Sequence, residues 1–125
     1  MKECNCCAFW SIALIRMCEK TKEMVEHSDY REAEVVSRQF GWGFIKNLET
    51  KCNLDTKALE TRFGNALGDM RDAEVAHQEQ AFSTNPLSMM AEVQYSKLAT
   101  ANLDGAIAEL ENAVREKARE LKCEL

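Results

Sequence analysis

The chain has 125 residues, of which 46% are hydrophobic and 30% charged, a balance that excludes a disordered polypeptide and leaves room for little more than one domain. One proline and five glycines argue against an all-β fold, and a net charge of -5 speaks against a nucleic-acid partner, since phosphate binding needs a basic face.

Apolar residues recur at spacings of three and four along the whole chain, and no stretch alternates like a half-buried strand. The predicted fold is therefore all-α. A first helix is expected over residues 8–27, carrying Trp10, Leu14, Met17, Met24 and Val25. The apolar run from Cys6 to Ile15 that opens it is far short of the roughly 20 residues that span a bilayer. Arg16 follows directly and no small-residue cleavage site appears, so the expectation is a cytoplasmic protein with reduced thiols.

Asp29, with Glu32 three residues on, has the form of a capping box and starts a second helix near Tyr30. Ala33, Val36, Phe40, Phe44 and Leu48 form its apolar stripe, and it ends near Cys52. Inside it, Gly41-Trp42-Gly43 implies a kink or a close approach of another helix, because each glycine costs a helix interior about 1 kcal/mol relative to alanine.

Asn53 or Asp55 caps a third helix, whose stripe is Leu59, Phe63, Ala66, Met70, Ala73 and His77 and which ends near Phe82. Asn85 is then a good cap and Pro86 suits a first helical turn. The last helix runs from Leu87 to about Lys122, with Leu103, Ile107, Leu110, Val114 and Leu121 at heptad positions. The expected architecture is one domain over residues 1–125: an antiparallel bundle, or long coiled-coil helices, of about four helices. The last helix is the longest, so part of the final pair protrudes or packs against another copy, and a homodimer is expected.

Among chemistry-bearing residues, the six cysteines stand out. Cys7 and Cys18 are three helical turns apart and share a face with Leu14 and Val25, which reads as core. In an up-down-up-down bundle, Cys4, Cys6, Cys52 and Cys123 gather at one end, and converging thiolates of that kind hold zinc or copper. Against this, the chain lacks paired C-x-x-C knuckles. Beside an apolar segment, the leading cysteines also read as spectators or lipid attachment points.

Glu74 and His77 form one E-x-x-H, and Glu23 and His27 lie one turn apart; a di-iron bundle needs a second E-x-x-H, which is missing. No nucleophile elbow, phosphate loop or H-E-x-x-H is present, so an enzyme is the least supported class. No cofactor is implied beyond the thiol-bound metal. From Arg38 to Arg62 the basic residues outnumber the acidic ones. This reads as solvated helix surface or as a patch facing anionic lipid, where each cation contributes about 1 kcal/mol.

"YREAE" at Tyr30, "CN" at Cys52, "FGNALGDMRDAEVAHQEQAF" from Phe63 and "NPL" at Asn85 together resemble the middle of BAR domains, the endophilin type above all. The likeness covers about residues 30–87 and rests on spacing and scattered identities. It implies a shortened or partial BAR-like domain: a crescent-shaped antiparallel dimer of kinked coiled-coil helices that binds or bends membranes through basic residues. Lys46, Lys51, Lys57 and Arg62 are the lipid-binding candidates by charge and position. In that family picture Pro86 kinks one continuous helix, a rod of about 100 Å from Asn53 to Lys122 at 1.5 Å per residue. The turn chemistry of the four residues before Leu87 favours a hairpin instead.

The functional expectation is a non-enzymatic helical dimerisation or interaction module, with peripheral membrane binding as its sharpest form. The alternatives are a thiol-based zinc- or copper-binding bundle and a structural subunit of a larger assembly.

Overall fold

A computed structural model describes residues 2–82 and 85–121, with side chains described over 7–82 and 85–120. Four helices follow in order: α1 (Lys2–Glu26), α2 (Tyr30–Cys52), α3 (Lys57–Gln80) and α4 (Pro86–Leu121). The described chain is all-α, as the periodicity requires. Helix α1 starts earlier than the apolar pattern, since "KECNCC" contains no helix breaker and continues the same turn geometry.

Each connection has a local cause. Ser28 takes a left-handed conformation (φ 63°), and the amides of Ser28 and Asp29 return to the carbonyls of Val25 and Met24, closing α1. Asn53 (φ 52°) ends α2 in the same conformation, which asparagine tolerates better than most residues. Asp29 stands at the start of α2 as expected, but its side chain makes no capping hydrogen bond, so the capping box is not formed. At α3 the cap position belongs to Thr56, while the Asp55 carboxylate accepts from the Lys57 amide at 3.2 Å. Asn85 caps α4 through its side chain, accepting from the Leu87 amide at 3.0 Å, with Pro86 in the first turn.

The chain reverses at Asn85-Pro86. His77 meets Glu92, and Asp69 meets Asn102, so α3 and α4 run antiparallel and the continuous rod through Pro86 is not formed. Helices α1 and α2 pair the same way: Cys7 lies against the Cys52 carbonyl, and the hydroxyls of Thr21 and Ser37 meet at 3.0 Å in the core. Each helix packs chiefly on its two neighbours (α1–α2, α2–α3, α3–α4 and α1–α4), which makes an up-down-up-down square.

The core runs along the bundle axis, from Cys7, Leu14, Cys18 and Val25 through Ile45, Leu48, Leu59, Phe63 and Met70 to Leu103 and Leu110. On α2 the buried stripe is Tyr30, Ala33, Ser37, Gly41, Ile45, Leu48 and Cys52, one position away from the expected Val36–Phe40–Phe44 stripe. Phe40 is 48% exposed, whereas Gly41 is buried because a Cβ there would overlap the ring of Phe63. In the middle of α2 the small residues Ser37 and Gly41 face the core in place of Phe40, which lets Thr21 and Phe63 approach its backbone. The glycines in α2 therefore mark close packing within a continuous helix.

The two hairpins are offset along the axis. Lys22 lies one turn before the end of α1, yet its partner Asp104 lies five turns into α4. At 1.5 Å per residue the α3–α4 hairpin thus projects about 10–20 Å past the α1–α2 turn.

Candidate functional site

The projecting hairpin carries two features side by side: a carboxylate bound by several donors and an uncovered apolar face. Glu92 is the sole charged residue between Ala81 and Ser96. Its side chain is only 14% exposed, and it accepts hydrogen bonds from Tyr30 Oη at 2.7 Å and from His77 Nδ1 at 3.2 Å. Gln80 Nε2 donates to its other oxygen, and Ser28 Oγ approaches at 3.5 Å. Burial pushes the Glu92 carboxyl up, but the hydrogen bonds from Tyr30, Gln80 and His77, with the charge of His77, outweigh it and hold the pKa below its usual value. Burial, seconded by the negative charge and hydrogen bond of Glu92, pushes the Tyr30 phenol up. The cluster is a polar tie: it fastens the α1–α2 turn to the base of the projecting hairpin, and its donors are directed at one carboxylate rather than at open space.

Around it, α4 exposes Leu87, Met89, Met90, Val93 and Leu98, and Phe82 stands 92% exposed at the end of α3. Met89, Met90, Val93, Gln94 and Lys97 line one shallow, mostly apolar depression. For Met89 and Val93 the reason is the offset of the hairpins. Met89, Val93, Thr100 and Asp104 fall on one flank of α4 by helical spacing, and Asp104 meets α1 through Lys22. Met89 and Val93 continue the flank that α1 covers lower down, but α1 has ended before it reaches them.

The residues singled out from the sequence fall as follows. Cys7 and Cys18 are buried with Leu14 and Val25, as read. Burial, aided by Glu19 and Asp104, pushes the Cys18 thiol up to about 12. Cys52 is buried at the end of α2, the same end of the bundle as the first turns of α1, where Cys4 and Cys6 lie; the side chains of Cys4 and Cys6, and Cys123 altogether, are outside the described residues. Among the described residues no group of three or more histidine, cysteine or carboxylate side chains is placed to hold a metal ion. Glu74 accepts from Gln78 rather than joining His77, and Glu23 pairs with Lys20 while its backbone carbonyl accepts from the His27 ring.

Lys46, Lys51, Lys57 and Arg62 are all exposed, and Lys51 and Arg62 lie on different seams of the bundle. Lys51 lies over the Trp10 ring, 5.5 Å from its centroid, on the α1–α2 seam. Arg62 reaches across to Asn102 and Gly105 on the α3–α4 seam. Those seams are opposite sides of the square. Among the described residues no helix is long and apolar enough to cross a membrane.

Comparison with known proteins gives no match to a family model, a curated protein or a solved structure. What the site can do is therefore argued from its own chemistry. The Glu92 tie was missed in the sequence reading, although a lone carboxylate inside sixteen otherwise uncharged residues was its signal.

Proposed function

We propose that the chain is a helical dimerisation and interaction module. The observation that carries this reading is the contiguous apolar face that the projecting α3–α4 hairpin leaves uncovered, with Met89, Met90 and Val93 at its centre. Scattered exposed apolar residues are ordinary, but a clustered patch on one helical flank marks a surface for another macromolecule. A partner gains from burying it without any change in the core below. Sedimentation equilibrium on the purified chain tests the reading: it predicts a reversible species of twice the 14.2 kDa protomer mass. A protomer mass at all concentrations would remove it.

Peripheral binding to anionic membrane is a second form of the same function, supported by the exposed positions of Lys46, Lys51, Lys57 and Arg62. It predicts sedimentation with anionic liposomes that weakens with salt and on charge reversal of Lys46, Lys51 and Lys57. Absence of sedimentation at low salt would sink it. The apolar face favours the first form, because its residues cluster on one helix while Lys51 and Arg62 lie on opposite seams of the bundle.

A further inference from the structure

We infer that the occupant of the uncovered α4 face is a second copy of this chain, seated by a two-fold axis that crosses α4 near Val93 and Gln94. The inference rests on the dimerisation reading above and names the surface and register through which it operates.

The first argument is charge. The protein carries a net charge of -5, so two copies repel over most of their surfaces. The segment from Ala81 to Ser96 is the exception: its one charge is Glu92, which is turned into the bundle and held by Tyr30, His77 and Gln80. Two copies meeting there set no acidic side chain against another, and the cation at the edge of the face, Lys97, lies opposite Met90 rather than opposite its own counterpart. A lipid surface of negative charge finds little to attract it on the same face, where Lys97 is the one cation lining the depression.

The second argument is self-complementarity. A two-fold contact sets each residue against a counterpart from the same patch. An antiparallel crossing of the two α4 helices near Val93 and Gln94 sets Leu87 of each copy opposite Ala101 of the other, and Met90 opposite Lys97. Leu87 and Ala101 pair a large residue with a small one. The aliphatic stem of Lys97 covers the Met90 thioether while its ammonium stays in water. Met89 and Val93, on the flank that α1 no longer covers, then face the other copy's projecting hairpin instead of water.

The third argument is size. Burying Leu87, Met89, Met90, Val93 and Leu98, each between 42% and 67% exposed, removes on the order of 500 Å² per copy from water. The stems of Gln94 and Lys97 and the methyl of Ala101 extend this toward the roughly 800 Å² per partner of a standard interface.

Sedimentation equilibrium of surface variants provides the test. Val93→Glu and Met90→Glu change positions that face solvent in the protomer, so circular dichroism, and melting at concentrations where the parent is monomeric, are expected to match the parent, while dimer dissociation rises at least a hundredfold. Phe9→Ser with Ile12→Ser, on the exposed outer face of α1, leaves the dimer unchanged. A Val93→Glu protein that is as dimeric as the parent overturns this interface but leaves dimerisation standing. Dissociation by the α1 pair alone places the interface elsewhere, and a parent that is never dimeric overturns both readings. As a second measurement, Gln94→Cys is expected to form a disulfide-linked dimer under mild oxidation where the parent does not. Failure to do so at concentrations where the variant is dimeric refutes the proposed register.

Discussion

Tyr30 donates its phenolic hydrogen to Glu92 at 2.7 Å, joining the first turn of α2 to the second turn of α4 across 62 residues of chain. The bond fixes where the α1–α2 turn stops against the longer hairpin, and so determines how much of α4 is left bare. Charge-assisted hydrogen bonds of this kind contribute more than neutral ones, about 1.5–3 kcal/mol each.

Tyr30→Phe removes one of several donors to a partly buried carboxylate and is expected to lower stability by about 1–2 kcal/mol in urea unfolding. Glu92→Gln costs a similar amount, about 1–3 kcal/mol, because all three of the closest donors lose a charged acceptor and the amide offers one accepting oxygen where the carboxylate has two. The double variant is expected to cost less than the sum, as coupled partners do.

The same tie has a pH signature. The folded pKa of Glu92 lies below its ordinary value, so its contribution is fully present above about pH 4.5 and is lost as pH falls through the folded value. Tyr30 is shifted the opposite way. Its folded pKa is raised, so its contribution holds below about pH 10 and is lost as pH rises through the higher folded value. Melting temperature followed from pH 5 to pH 3 should fall more steeply in the parent than in Glu92→Gln. Parallel curves would contradict the assignment.

The two glycines beside Trp42 should respond in opposite directions. Alanine at Gly41 forces its methyl into the Phe63 ring, which is fully buried, and about 1–3 kcal/mol of destabilisation follows. Alanine at Gly43 meets nothing within 4 Å, so the gain in helix propensity, about 0.5–1 kcal/mol, stands alone. Chemical denaturation of the two variants reads both signs.

Cys18 should be inert in the folded state. With its thiol held near pKa 12 and fully shielded from solvent, the thiolate population at pH 8 is very small. Peptide-resolved alkylation is expected to label it only in denaturant. Native labelling at the rate of an exposed thiol would show that α1 does not pack as described.

Much of the fold was legible in the sequence. Spacings of three and four in the apolar residues dictate four helices, and Asn85-Pro86 dictates a turn, because a capping side chain and a proline restricted to the first helical turn agree on the same boundary. On α1 the polar Ser11 and Thr21 are buried, and at the end of the α3 stripe Ala76 is buried in place of His77, but the α3 stripe from Leu59 to Ala73 follows from residue type. That of α2 does not: hydrophobicity points to Phe40, while packing selects Ser37 and Gly41, whose virtue is smallness. Size complementarity belongs to pairs of helices and cannot be read from either one.

The candidate site was less legible for a related reason. Leu87, Met89, Met90 and Val93 look like ordinary core residues in a one-dimensional pattern. Met89 and Val93 are exposed because α1 ends short of them, a consequence of how the hairpins are staggered, while Leu87 and Met90 lie on the outer face of α4. The basic residues illustrate the reverse case. Lys51 and Arg62 are close in sequence and face opposite sides of the bundle.

Hydrogen–deuterium exchange as a function of protein concentration tests the central claim most directly. A projecting pair of helices with an uncovered face frays in the isolated protomer and is protected when a second copy covers it. Raising the concentration across the dimerisation range is therefore predicted to slow exchange in peptides covering residues 85–98, with no change in those covering residues 8–20 of α1. Exchange in the 85–98 segment that is independent of concentration, while the protein dimerises, would contradict the account.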